Sequence, residues 1–296
     1  MGTVNTVSRC SKFWILATIT SLALYDLYWL RNTYNWLYVR LQENQPDLLA
    51  VYPNFYIDHV AGAVANTLRL VGVILLFVAA YFAWGRKKQS FIGVKKYVGT
   101  ALLLEAIYWL AILPYNIQSV FRSRIPLLLY VGYIIEILTI ATLLIALSIK
   151  AWEYKANARN NLIKWGCIAG TGYIFGLWIN NLFRWLSMSG LFGATDPRIT
   201  VNILSGISSL GFLNTAITLS LSLALSIAGS YILIIHKNRK LGIRLLGLAV
   251  LLFGLHFALY VLYSWFAPNA WLFLLLTEIW PIPLIGLGIG LLRGKS

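Results

Sequence analysis

Two glutamates lie deep inside apolar segments of this 296-residue chain. Glu136 is the twelfth residue of the apolar run 125–149, and Glu278 is the ninth residue of the run 270–292. A charged side chain near the centre of a bilayer costs about 2.5–3.5 kcal/mol, so such a group must be neutral, paired or in contact with water. The sequence therefore predicts either proton- or ion-binding groups, or acids held by a neighbouring helix or by an ion pair with Arg69.

Two prolines, Pro281 and Pro283, follow Glu278 closely. Proline has no amide hydrogen, so the carbonyl four residues before it loses its helical hydrogen-bond donor. The carbonyls of Thr277 and Ile279 are therefore expected to be free beside the Glu278 carboxylate. This pattern is typical of the broken helices with which carriers bind cations. It is equally typical of a simple kink whose carbonyls bond to a neighbour or to water.

Four more polar side chains are expected inside the membrane: Asp26, Glu105, Arg69 and His256. Glu105, Arg69 and His256 either form a proton relay with Glu136 or neutralise one another as buried pairs. Ionisable residues at this depth are expensive and commonly functional. The predicted proton, ion or ligand site comprises Glu136, Glu278, Glu105, Arg69, His256, Thr277 and Ile279.

Motifs for metal binding and catalysis are missing from the sequence. The chain has two cysteines, Cys10 and Cys167, and its three histidines are His59, His236 and His256. Two cysteines alone form neither a disulfide framework nor a metal cluster. No Gly-x-Ser-x-Gly, His-Glu-x-x-His or aspartate-rich motif occurs. The sequence thus predicts no metal site, identifies no cofactor, and favours a role other than catalysis without excluding an enzyme.

The elements that must position these residues are membrane-spanning helices. Hydrophobic residues make up 59% of the chain and charged residues 11%, whereas soluble domains are about a quarter charged. The apolar runs are continuous, which favours helices over membrane strands with their period-two alternation. Eight spans are predicted, at about 13–31, 57–84, 97–119, 125–149, 163–187, 200–235, 244–266 and 270–292.

Basic residues lie mostly on one side of these eight spans. Of the 24 lysines and arginines, seventeen flank one set of span ends and five flank the other. The positive-inside rule places the richer side, with both termini and three basic loops, in the cytoplasm. The net charge of +15 is thereby explained as an orientation signal and a contact for anionic lipid headgroups. Nucleic acid is not expected as a partner.

An internal repeat relates the two halves of the chain. The pattern Trp-x-x-Asn-x-x-x-Trp-Leu occurs twice, 149 positions apart, and three further landmarks recur in the same order. Four spans per copy is an even number, so both copies enter the membrane from the same side. We predict a parallel 4+4 duplication of residues 1–156 and 157–296, with no soluble domain. The repeated stripes form either an aromatic belt or an outer vestibule lined by Trp29, Asn32, Trp36, Trp178, Asn181 and Trp185.

These features favour a proton- or ion-coupled carrier of a small solute that uses intramembrane carboxylates. Its expected partners are the lipid bilayer and a small solute or the proton, and its expected location is a prokaryotic plasma membrane. Two alternatives stay open. An accessory or structural subunit, bound to membrane partner subunits, would turn its charges outward from the bundle. A membrane enzyme, or a quinone- or lipid-binding subunit, would have a deep cavity open to lipid.

Overall fold

The computed structural model describes residues 9–42, 55–84, 91–123, 127–155, 159–188, 215–236, 238–265 and 281–293. Nearly all of these residues are helical, and no strand occurs among them. The all-α class predicted from the continuously apolar runs is therefore confirmed.

Eight α-helices follow one another along the described chain. They are α1 (Arg9–Gln42), α2 (Phe55–Trp84), α3 (Phe91–Ser123), α4 (Leu127–Trp152), α5 (Arg159–Met188), α6 (Ser220–Tyr231), α7 (Arg239–Trp265) and α8 (Pro281–Arg293). Helix α6 is extended at both ends by π-helical turns, Thr215–Leu219 and Ile232–His236. Such turns are rare and contain an extra residue per turn, so they change the direction in which neighbouring side chains point.

By length and composition, seven of these helices can cross a membrane. They overlap the first seven predicted spans, which makes the chain an integral, multi-pass membrane protein. Helix α8 has 13 residues and extends about 20 Å, less than the roughly 30 Å of bilayer hydrocarbon. The eighth predicted span begins at residue 270, and its part before Pro281 lies outside the described residues.

Large apolar side chains cover the outside of the helix bundle. Leu24 on α1, Tyr81 on α2, Ile227 on α6 and Ile282 on α8 are all exposed. The most buried hydrophobic positions include many alanines. Lipid tails are as apolar as leucine, so helices in a membrane associate through small residues and leave large apolar ones facing lipid. This distribution agrees with the membrane location.

Each helix packs against the next one in the chain, and α8 packs against α1. Connections of six residues or fewer join α2 to α3, α3 to α4, α4 to α5, and the π-helical turn after α6 to α7. Connections this short keep consecutive helices adjacent. Close approach depends on glycine where α8 meets its neighbours. A Cβ atom at Gly286 would overlap the ring of Trp14 on α1, and one at Gly288 would meet Gly247 and Leu251 on α7. Because consecutive helices and the first and last helices are all in contact, side chains from several helices meet inside the bundle.

Replacing Gly288 with alanine should destabilise the fold by about 1–3 kcal/mol, the usual cost of overpacking. The added Cβ would lie 2.6 Å from the Leu251 nitrogen and 2.8 Å from the Gly247 oxygen, and backbone atoms in a helix cannot move aside singly. Thermal unfolding in detergent would measure the loss. Gly170→Ala is the control, since no atom lies within 4 Å of its added Cβ; equal unfolding temperatures for the two variants would contradict the expectation.

Candidate functional site: an intramembrane charge cluster

Arg69 on α2 joins two carboxylates that come from the helices on either side in the chain. Its Nε lies 3.4 Å from Asp26 Oδ1 on α1 and 3.2 Å from Glu105 Oε2 on α3. Asp26 is 3% exposed, Arg69 17% and Glu105 25%, so Asp26 is buried and the other two side chains are partly buried. These three residues are called the charge cluster below.

The charge cluster lies at one depth along the apolar segments of α1, α2 and α3 that can cross a membrane. Asp26 and Glu105 are about 14 residues from the span ends at Lys12 and Phe91, and Arg69 is about 15 residues from the end at Trp84. At 1.5 Å per residue, all three lie about 21 Å from those ends. Because α1, α2 and α3 pack consecutively, equal depth brings the three side chains together.

Two aromatic side chains of α3 contact the charge cluster. The guanidinium carbon of Arg69 lies 4.6 Å from the centre of the Tyr108 ring, a favourable cation–π distance. Trp109 Nε1 donates a hydrogen bond of 3.2 Å to Glu105 Oε1. The Trp109 ring in turn meets Tyr173 on α5 edge to face at 6.3 Å. The aromatic side chains thus hold the charged groups in place and carry contacts across to the second half of the chain.

The charge cluster holds two carboxylates against one guanidinium. Asp26 Oδ2 is buried and makes no hydrogen bond to any described residue. Buried charges are stable only when they are paired and their remaining lone pairs are satisfied. A proton or a monovalent cation would balance the second carboxylate, so the arrangement is suited to taking up and releasing one positive charge.

Glu136, the acid predicted from its central position on α4, is 3% exposed. The side-chain amide of Asn180 on α5 donates to Glu136 Oε2 at 2.6 Å. Gly176, one turn before Asn180, allows close approach, since an added Cβ there would lie 3.3 Å from the Glu136 carbonyl oxygen. The other amide atom, Asn180 Oδ1, is buried without a hydrogen-bond partner among the described residues. Glu136 is therefore held at the α4–α5 contact. Arg69 forms its ion pairs with Asp26 and Glu105.

His256 on α7, which the sequence groups with Glu105, Arg69 and Glu136 either in a proton relay or in buried pairs, lies beside a hydroxyl. Its Nδ1 is 3.2 Å from Thr218 Oγ1, in the π-helical turn before α6, and the tautomer of the ring decides which atom donates. Its ring meets Phe257, and Phe257 meets Phe253. The rings of Phe257 and Phe253 thus link His256 to the hydrophobic core. The proton relay of His256, Glu105 and Arg69 with Glu136 stays a prediction.

The remaining predicted site residues lie outside the described part of the chain. They are Thr277, Glu278 and Ile279. The description resumes at Pro281, and both Pro281 and Pro283 are buried. The predicted cation site beside the prolines therefore stays a prediction.

The vestibule residues are spread along α1 and α5. Trp29, Asn32 and Trp36 lie on α1 and Trp185 on α5, but their side chains are outside the described set. Trp178 is described: its Nε1 donates to Ser220 Oγ at 2.9 Å, and its ring packs on the core residues Ile174 and Leu219. Asn181 donates to the carbonyl of Leu177 on its own helix. For these two residues, the contacts are those of helix packing.

Three residues of the site were not in the predicted set: Asp26, Tyr173 and Asn180. Asp26 was recognised as an intramembrane acid, and its depth, equal to that of Arg69 and Glu105, was the available signal. Tyr173 and Asn180 have no distinguishing pattern in the sequence, because tyrosine and asparagine are also common at interfaces. Among the described residues, no three His, Cys, Asp or Glu side chains form a group that could hold a metal ion.

Comparison with protein-family models finds no family that matches this chain. Comparisons with curated proteins and with solved structures find no match either. What the site can do therefore follows from its own geometry.

Proposed function

We propose that this membrane protein is a proton-coupled carrier of a small solute, with the charge cluster as its proton-exchanging group. The observation that carries the proposal is the meeting of Asp26, Arg69 and Glu105 from three consecutive helices at one depth. A charge imbalance inside a helix bundle is costly unless a proton or a cation resolves it. A group that must gain and lose one positive charge is what proton coupling requires.

The direction in which the charges face also favours a carrier. Asp26, Glu136 and His256 are buried inside the bundle. An accessory subunit whose polar residues are satisfied by partner helices would turn them outward. Interior acids are instead typical of proton and ion pathways in pumps and transporters.

The proposed carrier has eight spans in two parallel halves, 1–156 and 157–296, and both termini lie in the cytoplasm of a prokaryotic cell. The order of helix packing supports this arrangement. Two-fold pseudosymmetry would relate each of the helices α1–α4 to the helix four places later in the chain. It would then relate the α4–α5 contact to the α8–α1 contact, and both contacts occur. Each of the other contacts between consecutive helices has a symmetry-related contact that also occurs.

Protonation gives the charge cluster two states. With both carboxylates ionised, Arg69 holds α1, α2 and α3 together through Asp26 and Glu105. When Asp26, whose Oδ2 makes no hydrogen bond to any described residue, takes up a proton, its attraction to the guanidinium weakens, and Arg69 pairs with Glu105 alone. Helix α1 is then less tightly held to α2. A packed interface with two discrete arrangements can couple a local proton to a larger helix movement, which is the element that alternating access needs.

Infrared difference spectroscopy of the reconstituted protein tests the proposal without a known solute. We expect the carbonyl stretch of a protonated carboxyl group to titrate between about pH 5 and pH 9, a range that buried carboxyls reach. The signal should be reduced in Asp26→Asn, which removes the buried carboxylate whose second oxygen makes no hydrogen bond to any described residue. Proteoliposomes containing a pH dye would then report which members of a panel of amines, organic acids and sugars drive proton movement. A wild-type protein with no titrating carboxyl band in this range would rule the proposal out.

A further inference from the structure

A groove lies between the end of α6 and the start of α7. It has a volume of about 560 Å³, within the roughly 300–1,000 Å³ of sites that hold small molecules. Tyr231 and Leu241 on its walls are 55% and 44% exposed, so the groove opens to the surroundings of the protein. The residues that line it are Ala228, Tyr231, Ile232, His236, Asn238 and Leu241.

A glycine contact and a π-helical turn shape this groove. A Cβ atom added to Gly229 would lie 3.1 Å from the Gly242 oxygen, and one added to Gly242 would lie 3.1 Å from the Gly229 oxygen. The π-helical turn Ile232–His236 follows within one turn of this close contact. It brings the rings of Tyr231 and His236 edge to face at 5.2 Å, whereas side chains five residues apart on a regular α-helix point in different directions. The two helices therefore touch at the glycines and leave a gap where the wider turn begins.

The groove lies where two membrane-spanning segments end. The segment Ala216–His236 ends and the segment Arg239–Leu259 begins beside it, so its mouth lies at the level of the lipid headgroups. Ala228 precedes His236 by eight residues, which places it about 12 Å further along the helix, at the level of the acyl chains. A groove that is apolar at its inner end and polar at its mouth matches a phospholipid.

Cations surround the mouth of the groove. Arg239, Lys240 and Arg244 are all exposed. Arg244 comes three residues after Leu241, so it lies on the groove side of α7. Helices α5 to α8 contain no aspartate or glutamate, so no acid on the helices packed around the groove neutralises these side chains. The charge is complementary to an anionic headgroup, and basic pockets between membrane-spanning helices bind such headgroups.

We propose that the groove between α6 and α7 binds one phospholipid with an anionic headgroup. An acyl chain packs against Ala228, Ile232 and Leu241, and the phosphate lies at the mouth beside His236 and Asn238. The side-chain oxygen of Asn238 accepts from the Leu241 nitrogen at 3.2 Å, which leaves the side-chain NH₂ group to donate to the phosphate. The three cations supply the attraction for the negative charge. This site is independent of the charge cluster and of any transport activity.

Native mass spectrometry of the full-length protein in a neutral detergent tests the site. The anionic probe is dioleoylphosphatidylglycerol, and the neutral one is dioleoylphosphatidylcholine. We expect the wild type to bind one phosphatidylglycerol molecule in preference to phosphatidylcholine. Lys240→Gln combined with Arg244→Gln should weaken that binding about thirtyfold, the effect of losing two basic residues beside an anionic headgroup. Lys96→Gln combined with Lys155→Gln is the matched control, since it removes two exposed cations from α3 and from the end of α4 and should keep the wild-type affinity.

A second variant distinguishes a groove from general attraction to a basic surface. Ala228→Phe fills the inner end of the groove and leaves every charge in place, so it should weaken phosphatidylglycerol binding at least about tenfold, as expected when an acyl chain loses its buried contacts. Ala224→Phe is its control, because Ala224 is exposed on the same helix and lies outside the lining of the groove. Unfolding temperatures of the four variants would verify that each is folded.

Each of the other outcomes would overturn the proposal. They are equal binding of the two phospholipids by the wild type, a charge variant that binds like its control, and Ala228→Phe that binds like Ala224→Phe. Glycerophosphoglycerol has the same anionic phosphodiester without acyl chains and should not displace the lipid at equal concentration. Displacement would mean that the groove binds a soluble anion. If Ala228→Phe does not fold, the comparison of the two charge variants decides, since all four of their side chains are exposed.

Discussion

Replacing Arg69 with glutamine should destabilise the folded protein by about 3–5 kcal/mol, the usual effect of removing one partner from a buried ion pair. Arg69 is the cation of the charge cluster, and it lies within 3.4 Å of both Asp26 and Glu105. Without it, two shielded carboxylates face each other with no guanidinium between them. The loss should appear as a lower unfolding temperature in detergent and as poorer recovery of folded protein.

Two further variants show whether charge is the cause. The triple variant Asp26→Asn, Arg69→Gln, Glu105→Gln has no net charge in the cluster and similar side-chain volumes, so much of the lost stability should return. Arg69→Lys keeps the charge but loses the planar, multiply donating head, and should give an intermediate value. A triple variant as unstable as Arg69→Gln alone would mean that Arg69 acts through packing rather than charge.

Glu136→Gln and Glu278→Gln should each leave the fold intact and abolish pH-dependent solute flux. Glutamine has almost the same shape as glutamate and remains able to accept from Asn180, but it cannot exchange a proton. Flux of the solute found in the panel would be measured in proteoliposomes at several values between about pH 5 and pH 9. Infrared spectra and unfolding temperatures of the same preparations would verify that the helices are unchanged.

Glu153→Gln is the matched control for these two variants. Glu153 directly follows the end of α4 and is 59% exposed. Its Oε2 lies 2.7 Å from Nζ of Lys150, in the last turn of α4. An exposed pair of this kind contributes about 0–1 kcal/mol, so neither stability nor flux should change noticeably. If Glu136→Gln and Glu278→Gln transport like this control across the whole pH range, Glu136 and Glu278 are not the working groups.

Helix positions could be predicted closely because they depend on local composition. The run 57–84 ends at the residue where α2 ends, just before the basic sequence at Arg86. The agreement is poorer for α3, which begins at Phe91 rather than at residue 97. Lys95 and Lys96 lie in its first two turns, and long basic side chains extend from a helix end to the polar interface. Apolarity thus locates the buried part of a helix better than it locates its ends.

Which residues come together in the site was harder to predict, because it depends on which helix faces contact one another. Depth along the chain could have grouped Asp26, Arg69 and Glu105, but depth alone does not distinguish Glu105 from Glu136 as the partner of Arg69. Helix packing does: α3 is the neighbour of α2, whereas Glu136 on α4 faces Asn180 on α5. His256 meets Thr218 in the π-helical turn before α6, a contact between helices that no pattern in the sequence indicated.

The sequence by itself determined that this chain is helical, lies in a membrane and has ionisable side chains inside its apolar segments. Those properties follow from hydrophobicity and from the length needed to cross a bilayer, which are read residue by residue. The tertiary structure alone decided that Arg69 joins Asp26 and Glu105 and that Glu136 accepts a hydrogen bond from Asn180. Pairing between helices depends on the rotation of each helix and on the order of its neighbours, and small residues such as Gly176 set how closely they approach. No single segment of the sequence contains that information.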